Sequence, residues 1–168
     1  IAFQTARWMR PNSIYTQELA DRGELLTHDK DKAVLTLMKL AEQVERDFEP
    51  VHAHMTLRQL VEVVARSKRN IHPVLQSDGK LIGIVPLEEI RGVMFDQSRY
   101  DELTVKDLMV VPAASLDLSE NMDVVMDKFD RTQAWNLPVE QNGRYVGFVS
   151  RSKLFGAYRA WLQEVSED

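Results

Sequence analysis

Cysteine is absent from the 168-residue chain, and histidine occurs only four times. Without thiols the protein can form neither a disulfide nor a cysteine-ligated zinc site, and it has no thiol nucleophile. His52 and His54 would share one face of an extended segment, but no carboxylate–histidine set accompanies them. We therefore interpret them as surface histidines and expect no metal site.

Long hydrophobic runs and an excess of basic residues are also missing. The longest apolar runs, such as residues 81–87, are far shorter than the ~20 residues of a membrane-spanning helix. The net charge is -5, whereas binding to nucleic-acid phosphates needs a basic face. The composition therefore argues against a membrane span within the chain and against nucleic acid as a partner.

Motifs of catalysis are missing as well. The sequence contains no P-loop, no His-Glu-x-x-His zinc motif and no nucleophile elbow around a serine. We therefore expect a protein that is not an enzyme.

Glycine is scarce, but its positions are ordered. Six of the seven glycines form three pairs, each separated by 64 residues. The pairs are Gly79 with Gly143, Gly83 with Gly147, and Gly92 with Gly156. The residues between them agree as well, since residues 78–85 can be laid over residues 142–149. This spacing indicates an internal repeat.

The spacing between the two copies changes toward the amino terminus. Pro73-Val74 matches Pro138-Val139 at a separation of 65, and residues 34–38 match residues 105–109 at a separation of 71. The difference between 71 and 65 places six additional residues before the first helix of repeat one. They fall in the region of the charged stretch 42–49, which we predict to be a surface loop.

Each repeat reads as a short segment that ends in Leu-Met (Met38 and Met109), a helix, two strands and a second helix. Apolar residues at helical spacing predict the first helices over residues 57–64 and 122–129, with Thr56 and Ser119 near their starts as caps. The dipeptides at 78–79 and 142–143, Asp-Gly and Asn-Gly, predict tight hairpin turns.

The second helices are predicted to start after Pro86 and Ser150. The last of them carries an apolar stripe of Leu154, Phe155, Tyr158, Trp161, Leu162 and Val165. This stripe either packs on its own repeat or faces another subunit.

Residues 1–33 lie outside the repeat. Ser13 is a candidate cap for a short helix that runs toward Arg22, with Gly23 as its stop. The chain opens on Ile1 rather than methionine, and we interpret it as a fragment of a longer protein.

The repeat resembles a known family. Its core segments are Asn70-Ile71-His72-Pro73-Val74 with residues 81–85, and Trp135-Asn136-Leu137-Pro138-Val139 with residues 145–149. Together they resemble two CBS domains in tandem, a CBS pair or Bateman module, over residues 34–158. The resemblance implies an α+β fold in which a pseudo-twofold axis relates two β-α-β-β-α repeats. Repeat one would span residues 34–100 and repeat two residues 101–168.

The residues before the repeat resemble a second, narrower family. Ser13-Ile14-Tyr15, Leu19, Arg22-Gly23 and residues 30–38 are similar to the link that follows the last membrane helix of CLC chloride channels and transporters. This resemblance implies that residues 1–33 are a linker after a membrane domain. It also implies a cytosolic, homodimeric tail at the membrane, which regulates anion transport through the transport domain of the same parent chain.

CBS pairs often bind an adenine nucleotide (ATP, ADP or AMP) between the repeats, although none is required as a cofactor. In the family pattern a Ser or Thr holds phosphate, and an Asp three residues later holds ribose. Here repeat one has Pro86 and Glu89, and repeat two has Ser150 and Lys153. Proline offers no hydroxyl, and lysine cannot accept a hydrogen bond from ribose.

The resemblance assigns the remaining candidates to two clefts. Arg69 and Asn70 would line the cleft that uses Lys153, and Trp135 would line the cleft that uses Glu89. Trp135 either stacks a purine or belongs to a core or interface. We expect weak nucleotide binding or none. Any binding should use the Glu89–Trp135 cleft, and Lys153→Asp should restore the other one.

Two alternatives remain for the function. The CBS pair would belong to another carrier, such as a divalent-cation transporter or a nucleotide-pathway enzyme, or it would be a stand-alone adenine-nucleotide sensor.

Overall fold

The computed structural model describes residues 31–167. The helix predicted from Ser13, and the linker before residue 31, lie outside the described residues. The elements follow the predicted order of mixed helices and strands. The helices are α1 (residues 31–37), α2 (Leu40–Gln43), α3 (Leu57–Arg66), α4 (Leu87–Ile90), α5 (Val105–Leu108), α6 (Met122–Thr132) and α7 (Arg151–Glu167). The strands are β1 (Ile71–Leu75), β2 (Leu81–Pro86), β3 (Leu116–Asp117), β4 (Asn136–Gln141) and β5 (Arg144–Ser150).

Each repeat contains a small sheet. In repeat two the strand order is β3-β4-β5, with β3 parallel to β4 and β4 antiparallel to β5. In repeat one β1 pairs antiparallel with β2, and the position of β3 is taken by a single parallel bridge from Val51 to Val74. The first strand predicted for repeat one is therefore reduced to one residue pair.

The outer edge of each sheet is covered by backbone from the other repeat. Glu45 pairs with Phe148 of β5, and its N–H donates to the Phe148 carbonyl at 2.8 Å. Val110 pairs with Ile84 of β2, and its N–H donates to the Ile84 carbonyl at 2.9 Å. Each repeat thus contributes a backbone segment to the sheet of its partner repeat, as a pseudo-twofold arrangement requires.

This exchange corrects the alignment of the two repeats before their first helices. α2 and α5 are both four residues long and start 65 residues apart, at Leu40 and Val105. Glu45 and Val110 make equivalent bridges and are also 65 apart. The separation of 71 was wrong, and repeat one has no six-residue insertion. Residues 34–38 resembled 105–109 only because both segments are short and rich in apolar residues.

The prediction of a surface loop at 42–49 was also wrong. Gln43 and Phe48 are buried, and Glu45 belongs to the sheet of repeat two. Three of its charges misled the prediction: Glu45 and Asp47 are ion-paired with Arg69, and Glu49 is ion-paired with Arg66.

Three groups of buried apolar side chains hold the fold together. The first lies in repeat two around Phe129, Leu137 and Leu154, and it includes Val34 and Met38 from the α1 region. The second lies in repeat one around Leu57, Leu60, Val85 and Ile90, and it includes Val105 from α5 of repeat two. The third lies between the repeats and consists of Phe48, Ile71, Ile84 and Phe148. This last group joins the two sheets where the exchanged segments cross.

The predicted cap of α3 is confirmed, and that of α6 is corrected. Thr56 forms a capping box with Gln59, in which the Thr56 N–H donates to the Gln59 side chain at 3.0 Å. The N-cap of α6 is Asn121, while the Ser119 N–H donates to the Asp117 carboxylate at 2.9 Å. Ser119 therefore belongs to a tight turn before the helix.

Both hairpin turns are confirmed. Gly79 has a φ of 85° and Gly143 a φ of 74°, values that glycine adopts without strain. Asn142 precedes Gly143 with a φ of 52°, so both central residues of this turn are left-handed, as in a type I′ hairpin.

The apolar stripe of α7 packs mainly within the described chain. Leu154 is buried, and Tyr158, Trp161 and Leu162 pack in part against the core of repeat two. The Tyr158 hydroxyl donates to the Asp31 carboxylate at the start of the described residues, at 2.6 Å. One side of the stripe is therefore covered by α1, and a role for the rest in a dimer stays a prediction.

A candidate ligand site between the repeats

The pseudo-twofold axis generates two related clefts between the repeats. The correspondence of 65 residues relates Arg69-Asn70 to Ala134-Trp135, at the entrances to β1 and β4. These two dipeptides therefore form equivalent walls, but with different side chains. The two clefts therefore differ in the side chains that line them.

One cleft is an open cavity of about 370 Å³. Its apolar surface comes from β1, β2 and the segment after α5, through Ile71, Ile84 and Val110. Asn70 and Trp135 stand on its walls. A cavity of this size, with mostly apolar lining and a few polar groups, falls within the range of small-molecule sites.

The wall residues are positioned by backbone hydrogen bonds to the helices that follow. The Asn70 carbonyl accepts from the Leu87 N–H at the start of α4, at 2.7 Å. The Trp135 carbonyl accepts from the Arg151 N–H at the start of α7, at 2.8 Å. Their side chains line the cavity, and Trp135 is 76% exposed. An indole of this exposure beside a cavity can stack on a planar ligand.

Two charged side chains line the open cavity, Glu88 of α4 and Arg91 directly after this helix. Glu89, the predicted ribose acceptor, is exposed and is not among the lining residues. Glu88, the preceding residue of the single-turn helix α4, lines the cavity instead. Sequence reasoning missed Glu88 and Arg91, although their separation of three residues places them on one helical face.

The equivalent region of the second cleft is crossed by Arg69. Its guanidinium donates to Asp47 and to Glu45, each at 3.1 Å, and it lies 4.6 Å from the centroid of the Phe48 ring. The hydrogen bond from Arg69 lowers the pKa of the Asp47 carboxyl. In the open cavity the corresponding residue is Ala134, whose methyl group leaves space.

The remaining candidates lie on the side of the second cleft. Ser150 accepts a hydrogen bond from the Lys153 N–H at 3.3 Å and so caps the first turn of α7. Lys153 is exposed, and its charge contributes to the lowered pKa of Asp47. The ribose-acceptor position of this cleft is therefore occupied by a cation beside an acidic segment.

The structure thus divides the predicted site residues differently from the sequence prediction. Asn70 and Trp135 line the same cavity, whereas Asn70 was predicted to lie with Arg69 and Lys153. Arg69 and Asn70 are consecutive residues at the entrance to a strand, so their side chains point to opposite sides. The grouping of neighbouring residues into one cleft overlooked this alternation.

Two further observations concern the residues that the structure describes. His52 and His54 stack with ring centroids 6.0 Å apart, and no cluster of three metal-ligating side chains occurs in residues 31–167. None of the helices in this part of the chain is long and apolar enough to cross a bilayer.

The CBS domain family model matches the chain twice, over residues 41–96 and 105–160. No curated protein matches the sequence. The CBS domain of a membrane protein from Sphaerobacter thermophilus is 18% identical, with a TM-score of 0.66, and the match covers 83% of this chain and 97% of that one.

Two other solved structures are similar. A CBS domain-containing protein from Bacillus anthracis is 16% identical with a TM-score of 0.67, covering 77% of this chain and 98% of that one. CbpB, solved in complex with c-di-AMP, is 13% identical with a TM-score of 0.67, covering 83% and 96%. At these identities the likeness concerns the fold. The two family matches, the repeated α+β architecture and the exchange between the repeats identify the chain as a member of the CBS domain family, in the form of a tandem CBS pair.

Proposed function

We propose that the chain is a regulatory CBS pair that binds one adenine nucleotide, weakly, in the open cavity beside Trp135. The observation that carries the proposal is the exposed indole on the wall of a cavity between the repeats. The structure of CbpB with c-di-AMP supports the proposal, because that similar fold holds an adenine-containing ligand.

The cavity side chains suit the parts of a mononucleotide. The Trp135 ring offers a stacking surface for the purine, and the Asn70 amide offers both a donor and an acceptor for its edge. Arg91 is the single basic side chain among the described lining residues, and Glu88 is the single acidic one. One cation suits one phosphate group, and the carboxylate can accept from ribose hydroxyls. We therefore expect AMP to bind more tightly than ATP.

Calorimetry with AMP, ADP and ATP tests the proposal. Trp135→Ala should weaken AMP binding about 5-fold to 150-fold, since stacking of a base on an aromatic ring contributes ~1–3 kcal/mol. Phe95→Ala is a matched control, because Phe95 is an aromatic residue with 82% exposure that does not line the cavity. Equal AMP affinity in the wild type and in Trp135→Ala would contradict the assigned site, and an absence of binding by all three nucleotides would contradict the ligand class.

We further propose that this module is the cytosolic tail of an anion channel or transporter of the CLC type, and regulates transport through contacts in a homodimer. The proposal is supported by the resemblance of residues 13–38 to the CLC link. It also draws on the similar fold in a CBS domain of a membrane protein. The reading frame before Ile1 tests it. Several hydrophobic helices of ~20 residues each are expected there. A reading frame without them would favour the stand-alone nucleotide sensor.

A further inference from the structure

His72 is a buried polar side chain in the centre of β1. It is 1% exposed and lies opposite Val85 of β2. The equivalent residue of repeat two, 65 positions later, is Leu137, which is fully buried in an apolar core. The two repeats thus have the same backbone position filled by an ionisable ring in one and by an aliphatic side chain in the other.

The hydrogen bonding of His72 identifies its protonation state. Nδ1 lies 3.1 Å from the Glu49 carbonyl oxygen, which can only accept, so Nδ1 carries a proton. Nε2 is buried, and within the described residues it has no hydrogen-bond partner. In the neutral ring Nε2 is an unprotonated acceptor. Protonation would place an unpaired N–H and a positive charge in the interior, which is unfavourable.

The segment that accepts this hydrogen bond, residues 45–51, is called the strap below. It joins the two repeats. At one end Glu45 pairs with Phe148 of repeat two, and in its middle Phe48 packs in the cluster between the repeats. At the other end the Val51 N–H donates to the Pro73 carbonyl at 2.9 Å. Movement of the strap would therefore alter the contact between the repeats.

The charged groups around His72 offer little compensation for a proton. On the strap, the negative charge of Glu49 favours the protonated ring of His72 and so raises its pKa, but this carboxylate is ion-paired with Arg66 of α3. The other strap carboxylates, Glu45 and Asp47, are bound to Arg69. β2, which faces His72 across the sheet, has no ionisable side chain. Burial accordingly lowers the pKa of the His72 imidazole below its usual value.

We propose that His72 is an acid-sensitive latch, and that protonation of Nε2 releases the strap from β1 and loosens the contact between the two repeats. The direction of the pH dependence follows from the difference between the pKa values of His72 in the open and closed forms. When the strap opens, the ring reaches water and titrates near 6.5, the ordinary value for histidine. The closed form is then favoured above that pH and is lost as the pH falls below it. Repeat two has no such residue, so the acid response should be confined to repeat one and the strap.

Hydrogen exchange of individual backbone amides tests the latch in the complete chain. The Val51 and Leu75 N–H groups join the strap to β1, each at 2.9 Å, and they report its opening. After correction for intrinsic exchange rates, their opening constant should rise up to about 30-fold between pH 7.5 and pH 5.0, if the closed form excludes the proton. The Leu118 N–H, bonded to the Glu140 carbonyl at 2.9 Å, is the internal control in repeat two. It should show little change.

His72→Leu reproduces the side chain of the equivalent position in repeat two, and it should abolish the pH dependence at Val51 and Leu75. Nitrogen-15 spectra of the wild-type imidazole provide a measurement that needs no variant, and should show the proton on Nδ1 at pH 7.5. An unchanged opening constant in the wild type, an equal rise at Leu118, or a pH dependence that persists in His72→Leu would each overturn the latch.

Discussion

Gly83 and Gly147 lie where backbone from one repeat passes over a strand of the other. A Cβ on Gly147 would lie 2.4 Å from the Glu45 carbonyl oxygen, and a Cβ on Gly83 would lie 3.2 Å from the Val110 carbonyl oxygen. The approach excludes a side chain at Gly147 and leaves little room for one at Gly83. The glycine pair that reveals the repeat in the sequence therefore marks the two crossings of the exchanged segments.

Gly147→Ala should destabilise the fold, because the new methyl group would meet the strap backbone at Glu45 and the branched side chain of Val44. Steric overpacking of this kind lowers the free energy of unfolding by about 1–3 kcal/mol. Urea denaturation measures the change. Gly156→Ala is the control, since it lies within α7 with no atom within 4 Å of the added Cβ, and should stabilise by ~0.5–1 kcal/mol. Equal stability of Gly147→Ala and the wild type would contradict the close crossing.

At the scale of elements, the strap distinguishes the two clefts. The strap contributes Glu45 and Asp47, and Arg69 pairs with both. The equivalent segment of repeat two contributes Val110 and Pro112, which leave the open cavity free of charge at those positions. In repeat one this segment therefore forms ion pairs across its cleft, and in repeat two the equivalent segment forms part of the wall of the open cavity.

This difference changes the expected effect of Lys153→Asp. On the sequence alone, the substitution restores a ribose acceptor and should create a second nucleotide site. In the structure it adds a third carboxylate next to Glu45 and Asp47, while Arg69 still crosses the cleft. We therefore expect calorimetry of Lys153→Asp with AMP to show no second binding event. A second event of comparable affinity would mean that Arg69 leaves the cleft readily.

At the scale of the whole molecule, the two repeats are a single structural unit, and their outer helices define the surface available to other chains. α7 extends past the matched repeat, and α1 covers part of its apolar side through Asp31 and Val34. Trp161 remains only partly buried in the described chain. A large aromatic residue in this setting suits the core of a protein–protein interface.

Trp161→Ala should therefore weaken a homodimer while the fold is kept. Loss of one large anchor from an interface core costs about 2 kcal/mol, or a factor of about 30 in the dissociation constant. Analytical sedimentation at several protein concentrations measures the dissociation constant of the dimer. Val124→Ala on α6 is the control, because Val124 is an exposed apolar residue outside the stripe. A wild-type chain that stays monomeric at high concentration contradicts the dimer, and an unchanged dimer in Trp161→Ala contradicts only the role of Trp161.

The sequence by itself determined the repeat, the order of its elements and both hairpin turns. These features depend on local chemistry. Gly79 and Gly143 supply the left-handed backbone that the turns require, and the capping box of Thr56 and Gln59 defines the start of α3. Helical periodicity and turn residues act within a few positions of the chain, so they can be read without knowledge of the fold.

Only the tertiary structure decided the alignment of the segments before the first helices and the composition of the two clefts. Glu45 and Asp47 read as solvated charges in the sequence, and their pairing with Arg69 depends on a strap that crosses from one repeat to the other. Asn70 and Trp135 share a cavity although they are 65 residues apart. The burial of His72 was likewise not visible, since β1 is buried at four consecutive positions and shows no alternation of polar and apolar residues. Contacts between distant segments depend on how the two repeats pack, and no local pattern contains that information.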